Sequence, residues 1–327
     1  MEAELVARRN IPYRSIPAAG IHGVGLRSLP GNISLLFQGV KASRKILDEF
    51  KPDMLFFTGG YVAAPMAYAG RNKPISLYVP DIEPGMALKF LARFADSIAL
   101  TAEESKSYFG KRKQTVVTGY PLRKDLNQIE QATAKKSLNI STIKPMVLIY
   151  GGSKGARSIN QAVLSILSEL LTECQVVHVS GSLDWEEVNR AASTLDGALR
   201  KNYFPFPYLH EEMGFAFAAA DLVVCRAGAS TLGELPFYSL PAILVPYPYA
   251  WRYQKVNADH LVSTGGAVII EDSQLKSSLL AKIKELLRDP ARLEKMAAAI
   301  LSIARPDAAS QIADLIIGTA MKKERIS

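Results

Sequence analysis

The sequence predicts an α/β protein of two doubly wound domains, each a parallel sheet covered by helices on both faces. Three observations carry this expectation. Short β-branched apolar runs recur, each followed by a turn and a helical pattern; the rhythm breaks once, at a polar stretch, and restarts; and the carboxyl ends of the runs hold the glycine-rich turns.

The first series is MLFFTGG at 54–60, ISLYVPD at 75–81, SIALT at 97–101 and QTVVTG at 114–119. LNISTIKP at 138–145 interrupts it. The second series is MVLIYGG at 146–152, CQVVHVSG at 174–181, LVVCRAG at 222–228, AILVPYPY at 242–249 and AVIIE at 267–271. Runs apolar nearly throughout suit strands buried on both faces. From Leu275 to about Ala320 the pattern is helical, interrupted at Pro290 and Pro306. The expected division is 1–140, 141–305, and a C-terminal helix and tail, 306–327, packing back on the first domain. Residues 1–20 read as the end of a helix plus a short strand in IPYRSIPAAG, so the first sheet starts without its usual first β-loop-α unit.

A chain of 327 residues exceeds what one hydrophobic core organises, and 48% hydrophobic with 21% charged residues is ordinary for globular proteins. Cys174 and Cys225 lie in apolar runs with no metal-type spacing and read as buried reduced thiols, which fits a reducing cytoplasm. No apolar run approaches the roughly 20 residues of a membrane span, and MEAELVARRN has no signal-peptide core. A formal charge of +8 with a pI near 9.3 favours polyanionic partners. Nucleic acid is not expected among them, since zinc-finger spacing, an RNP motif and basic-aromatic interleaving are all missing.

Two turns carry chemistry. In MVLIYGGSKGARSIN, Gly151, Gly152 and Gly155 lie between a buried strand and a helix, where backbone amides and the hydroxyl of Ser153 suit a phosphate; the alternative is a tight turn whose glycines allow close packing. It is neither a Walker A loop nor a GxGxxG site. In CRAGASTLGELPFYSLPAILVPYPYAWRYQKVNA, small residues around Gly228 leave amides 229–231 free at a helix start, suited to a pyrophosphate. Glu234, one turn in, suits a ribose diol or serves as a helix-dipole carboxylate. The following strand is expected to deliver Gln254 and Asn257 to the same rim. Ligands of open α/β sheets bind outside the carboxyl ends, so these turns and TGG should face one another across an inter-domain cleft.

In order along the chain, FTGGYVAAP at 57–65, LARFAD at 91–96, VTGYPLR at 117–123, GGSKGAR at 151–157, CRAGAST with Glu234, and LPAILVPYP with Gln254 and Asn257 resemble the MurG family over almost the whole length. That family transfers N-acetylglucosamine from UDP-GlcNAc to the undecaprenyl-linked acceptor lipid I, making lipid II for peptidoglycan. The resemblance implies a GT-B fold of two Rossmann-like domains facing a cleft, an N-terminal acceptor domain, a C-terminal UDP-sugar domain, and peripheral attachment at the cytoplasmic face of the bacterial membrane. It places Arg123 and Ser153 at the donor pyrophosphate, Ala229, Ser230, Thr231, Leu232 and Gly233 along the diphosphate and sugar, Glu234 on the ribose, Gln254 on the GlcNAc hydroxyls and Leu209 against uracil. Thr58, Gly59, Gly60 and Tyr61 fall on the acceptor side. Inversion would use a general base, with no obligatory metal and no cofactor. Wall-synthesis proteins are further possible partners.

The chain departs from the family in four places. The opening GGTGGH turn, whose histidine is the favoured base, is absent, so either the start codon is assigned too late or the unit is lost. Tyr78, Val79, Pro80 and Asp81 replace HEQN; Asp81 on the acceptor side is either a substitute base or a helix N-cap ahead of IEPGMALKF. Lys154 stands where glutamine is usual, and AWRYQ replaces an acidic-rich loop. His178 and His260 read as structural, His210 as solvated, and His22 as a loop group with a smaller claim to function. These departures keep two alternatives open: a transferase for another lipid acceptor, or a non-catalytic UDP-sugar-binding scaffold. GVGLRSLPGNISLLFQGVKASRKIL sets Leu26, Leu29, Ile33, Leu36 and Phe37 beside Arg27, Lys41, Arg44 and Lys45, which suits an anionic membrane surface or a core helix with a basic edge.

Overall fold

The computed structural model describes residues 6, 10–20, 25, 28–111, 113–152, 154–249 and 252–324. They form two compact units: Met1–Val79 with Pro84–Val117 and Gln311–Ser327, and Pro80–Glu83 with Thr118–Ser310.

The first unit contains α1 (Leu29–Phe50), β1 (Leu55–Phe57), α2 (Ala63–Ala69), β2 (Ile75–Val79), α3 (Met86–Leu91), β3 (Ser97–Leu100) and β4 (Gln114–Val117). All its strand pairs are parallel, in the order β1-β2-β3-β4. Helix α1 stops at Lys51, which turns left-handed with φ 48° ahead of Pro52, a residue with no N–H to continue the ladder. Leu55, Ile75, Leu77, Leu91, Ile98 and Leu100 form its core. Ser76 and Ser97 face each other on adjacent strands, and a buried hydroxyl chain runs from Ser76 through Ser97 to Thr319, with both steps 2.7 Å. The short strand expected in 11–20 does not form; Pro12 and Pro17 bring no N–H to a ladder.

The second unit contains α4 (Gln131–Ser137), β5 (Met146–Tyr150), α5 (Arg157–Glu173), β6 (Gln175–Val179), α6 (Trp185–Ser193), α7 (Gly197–Arg200), β7 (Tyr203–Phe206) and α8 (Met213–Ala219). It continues through β8 (Leu222–Cys225), α9 (Thr231–Phe237), β9 (Ala242–Leu244), α10 (Tyr253–Ser263), β10 (Ala267–Ile269), α11 (Leu275–Leu287) and α12 (Pro290–Leu301). The last helix, α13 (Ala308–Glu324), lies in the first unit from Gln311 onward. The sheet order is β10-β9-β8-β5-β6-β7, every pair parallel. All nine runs of the two series form strands. The tenth, β7, escapes the sequence reading because Pro205 lies inside it; β7 is an edge strand, where a missing N–H is tolerated.

The units divide between Val117 and Thr118, not at residue 140. Helix α4, upstream of the polar stretch, is bound into the second unit by a buried cation: Lys135 Nζ donates to Asp221 Oδ2 at 2.9 Å, with Gln131 Nε2 on Oδ1 at 2.9 Å. The same carboxylate accepts the Met146 N–H at 2.7 Å, so one side chain fixes the starts of β5 and β8 and the helix before them. Cys174 and Cys225 are buried and unpaired, and burial pushes both thiols up to about 12.

At the other end of β6, His178 is wholly buried, with Nδ1 2.8 Å from the Tyr203 hydroxyl and Nε2 3.0 Å from Asn160 Oδ1. An amide oxygen accepts only, so Nε2 carries the proton and Nδ1 accepts from Tyr203. Burial holds the ring neutral by depressing its pKa from 6.5 to about 4. The unfolded chain therefore binds a proton below pH 6.5 that the fold refuses until pH 4, and stability is lost as pH falls through that window. Between pH 7.5 and 5 the loss from this group should be about 2 kcal/mol. Urea unfolding of wild type and His178→Gln across that range should show a pH dependence weaker by that amount in the variant. Parallel curves would contradict a neutral buried His178.

Candidate functional site

The second sheet reverses direction between β5 and β8: β6 and β7 lie on one side, β9 and β10 on the other. The turns leaving β5 and β8 at their carboxyl ends are thus neighbours with no crossover between them, which is where open α/β sheets bind ligands.

After β5, Gly151 and Gly155 are needed for packing. A Cβ on Gly151 would stand 2.3 Å from the Ala156 nitrogen, and one on Gly155, at φ 84°, would stand 2.1 Å from the Ser180 carbonyl oxygen. Gly181, after β6, meets Gly155 in the same way. Asn160 holds this contact in place, its Nδ2 donating to the Ser180 carbonyl at 2.8 Å and to Asp184. Gly152 differs. It has φ 90° with open space over its α-carbon, and its carbonyl accepts the Gly155 N–H at 2.9 Å. Ser153 lies outside the described residues; Lys154 is exposed.

After β8 comes Arg226, whose side chain is 10% exposed. Its guanidinium donates to Ser158 Oγ at 2.7 Å, to the Val245 carbonyl at 3.1 Å and to Asp272 Oδ1 at 2.5 Å, while Ser158 Oγ itself donates to Asp272 at 2.7 Å. Tyr247 stacks over it, 5.1 Å from ring centre to guanidinium carbon. The start of α5, the end of β9 and the turn after β10 are therefore tied to the residue that opens the Ala227–Ser230 turn. The N–H groups of Ala229 and Ser230 have no partner among the described residues, but that of Thr231 bonds the Gly228 carbonyl, so two amides stand free and not the three expected. Thr231 is buried with its hydroxyl on Gly228, and Leu232 is buried. Gly233 faces no open space: a Cβ there would be 2.9 Å from Tyr120 and 3.2 Å from Leu122, so it lets the 120–122 loop approach instead of lining a ligand.

Glu234 Oε2 accepts the Ser230 hydroxyl at 2.9 Å, and Oε1 has no partner among the described residues. Burial raises its pKa, opposed by Ser230 and by the Arg123 charge. Arg123 is half-exposed, 3.6 Å from Asp125. Gln254 Oε1 accepts the Tyr247 N–H at 2.8 Å, which orients its amide nitrogen, whose hydrogens have no partner among the described residues. Leu209 buries its side chain while its backbone N–H and C=O bond nothing described.

Asp81 does not cap a helix. Helix α3 starts after Gly85 with no side-chain cap, and Asp81 Oδ1 instead accepts from Asn257 Nδ2 at 2.8 Å. Asn257 is wholly buried; its Nδ2 also reaches the Ala227 carbonyl at 3.2 Å and its Oδ1 accepts the Ile82 N–H at 3.0 Å. In the first unit, Gly59 and Gly60 after β1 have φ 118° and 81°, and the N–H groups of Thr58 to Val62 have no partner among the described residues, while Tyr61 is exposed. His22 lies outside the described residues. Among the described residues no cluster of three or more His, Cys, Asp or Glu is placed to hold a metal.

Arg226, Asn160, Gly181 and Tyr120 carry roles that the sequence reading gave to none of them. An arginine between a buried strand and a run of small residues was the available signal for Arg226; the others depend on contacts far along the chain.

The model of the glycosyltransferase family 28 N-terminal domain matches residues 1–100, and that of the family 28 C-terminal domain matches 146–312. A UDP-N-acetylglucosamine–N-acetylmuramyl-(pentapeptide) pyrophosphoryl-undecaprenol N-acetylglucosamine transferase of Roseiflexus sp. is 35% identical, with 99% of this chain and 82% of the relative covered. Its counterpart from Desulforamulus reducens is 36% identical over 95% of this chain and 86% of that protein. The crystal structure of Acinetobacter baumannii MurG superposes with a TM-score of 0.75 at 26% identity, covering 97% of this chain and 88% of that one. A UDP-GlcNAc 2-epimerase of Neisseria meningitidis, solved with UDP-GlcNAc, shares the fold at 14% identity with a TM-score of 0.68. Two matched domains and such identity over nearly the whole length make this chain a glycosyltransferase of family 28 with a GT-B architecture, and within that family a member of the MurG group.

Proposed function

We propose that the protein transfers N-acetylglucosamine from UDP-GlcNAc to an N-acetylmuramyl-pentapeptide carried on undecaprenyl pyrophosphate, the step that makes lipid II. The observation that carries the reading is the turn after β8. Two unbonded amides at Ala229 and Ser230 lie one helical turn from a carboxylate with a free oxygen, which is what a nucleoside diphosphate needs for its phosphates and its ribose diol. Arg123 adds charge beside them. The unpaired N–H and C=O of Leu209 match the acceptor and donor on the edge of uracil, and the free amide hydrogens of Gln254 suit the sugar hydroxyls. On this reading Gly152 approaches the phosphates, while Gly151, Gly155, Thr231, Leu232 and Gly233 shape the turns. The free amides of Thr58 to Tyr61 suit the pyrophosphate of the acceptor.

The acceptor's lipid supports a second part of the proposal, docking at the cytoplasmic face of the cell membrane. No helix among the described residues is long and apolar enough to cross a membrane. On α1, Ile33 and Phe37 are exposed one turn apart, and Lys41, Arg44 and Lys45 follow, all exposed, so that an apolar half and a basic half share one helix face. Leu36 is half-buried; Leu26, Arg27 and the side chain of Leu29 lie outside the described residues.

Calorimetry should give a Glu234→Ala variant UDP-GlcNAc binding weaker by about 1–3 kcal/mol, through lost hydrogen bonds to a charged group, and radiolabelled transfer to the lipid-linked muramyl-pentapeptide should fall with it. Equal affinity would remove Glu234 from the ribose. Co-sedimentation with vesicles should be stronger for anionic than for neutral lipid, weaken with salt, and drop in Ile33→Asp/Phe37→Asp. Unchanged binding in that variant would place the docking surface elsewhere.

A further inference from the structure

Asp81 and Asn257 form a pair that donor binding leaves unexplained. Asn257 commits its whole amide to one place: it accepts from the Ile82 N–H and donates to Asp81 Oδ1 and to the Ala227 carbonyl. One oxygen of Asp81 is thereby fixed against the turn that presents the Ala229 and Ser230 amides. The other, Oδ2, has no partner among the described residues. The segment is anchored beyond it as well, since the buried Glu83 pairs with Arg252. An asparagine at position 81 could accept the same bond from Asn257. The aspartate adds only a charge and an open oxygen, and a half-buried charge with half its bonding capacity unused costs stability unless it has another use.

Resting on the transfer reading above, we propose that Asp81 is the general base of the reaction and that Asn257 is its positioning residue. The acceptor's O–H bond breaks and its proton passes to Asp81 Oδ2. The freed oxygen bonds the anomeric carbon from the face opposite the diphosphate, and the bond from that carbon to the diphosphate oxygen breaks, its electron pair leaving with UDP. Configuration inverts, and Asp81 releases the proton to solvent before the next turnover. Asn257 keeps Oδ1 occupied, so Oδ2 is the oxygen presented.

Burial raises the Asp81 carboxyl above its ordinary value and the Asn257 hydrogen bond opposes the rise, which brings the base nearer neutrality than a surface aspartate and strengthens it. The ionisable groups around it are Tyr120, whose phenol is pushed up by burial and by the Glu234 and Asp81 charges, Glu234 itself, and the Glu83–Arg252 pair. The base form of Asp81 is lost as pH falls through its raised pKa, so the activity should carry an acid limb.

Asp81→Asn preserves shape and the bond to Asn257. Its kcat should fall about 10²-fold or more, with the KM for UDP-GlcNAc within threefold of wild type and the acid limb of kcat gone. Asn257→Ser, which removes the hydrogen bond that lowers the Asp81 pKa, should move that limb to higher pH, a change that a merely structural role would not produce. Glu234→Gln should weaken donor binding and leave the limb where it is. A kcat within threefold of wild type in Asp81→Asn, with the limb retained, overturns the proposal. If the wild type binds UDP-GlcNAc without transferring it to the muramyl acceptor, the functional reading fails, and Asp81 is judged separately by carbon-detected NMR titration with UDP bound. A midpoint above the ordinary aspartate value of about 3.9 supports a poised base, and one at or below it overturns the assignment.

Discussion

The guanidinium of Arg226 is the interaction on which the carboxyl end of the second sheet depends. Strand order alone puts the turns after β5 and β8 side by side, but turns of Gly, Ala and Ser have few side chains with which to hold themselves. Arg226 provides the hold, reaching Ser158, Val245 and Asp272 from the residue that opens the turn. A nearly buried cation is tolerable here because Asp272 balances its charge and Tyr247 covers its face. A planar fork with several donors is what this geometry needs, since a lysine presents one point charge and cannot reach three elements in one plane. The free amides of Ala229 and Ser230 are thus kept open by a network that touches neither of them.

The same economy recurs around the unit. Asp221 serves the amino ends of β5 and β8 and draws in α4 through Lys135, while His178, Asn160 and Asp184 fix the Ser180 carbonyl that lies over Gly155. No buried side-chain nitrogen or oxygen of these networks is left without a hydrogen-bond partner, as burial requires. With the backbone held from beneath in this way, several groups at the turns have no partner among the described residues: the amides of 229 and 230, one oxygen each of Glu234 and Asp81, and the amide hydrogens of Gln254. These are the groups available to a ligand.

What the sequence revealed and what it hid follow one physical line. Nine strands were legible because buried parallel strands are apolar throughout, a local signal; β7 was hidden because Pro205 is acceptable only at an edge, and edge position is a property of the sheet. The turn glycines were legible as turns, yet Gly155 owes its constraint to Ser180 and Gly181, and Gly233 owes its own to Tyr120. Residues 118–140 read as part of the first domain because the evident linker follows them, whereas the Lys135–Asp221 pair that decides the matter spans 86 residues. Asp81 read as either cap or base, and its partner Asn257 lies 176 residues away. Family resemblance singled out residues at these turns that spacing alone left ambiguous, though it did not separate those that offer a bonding group from those that shape the turn.

A crystal structure of the protein with UDP tests this account most directly. The account predicts diphosphate oxygens about 3 Å from the Ala229 and Ser230 nitrogens, ribose hydroxyls on Glu234 and the uracil edge on the Leu209 backbone, with Arg226 still bonded to Ser158 and Asp272. UDP bound elsewhere, with those amides and Glu234 unliganded, would contradict it.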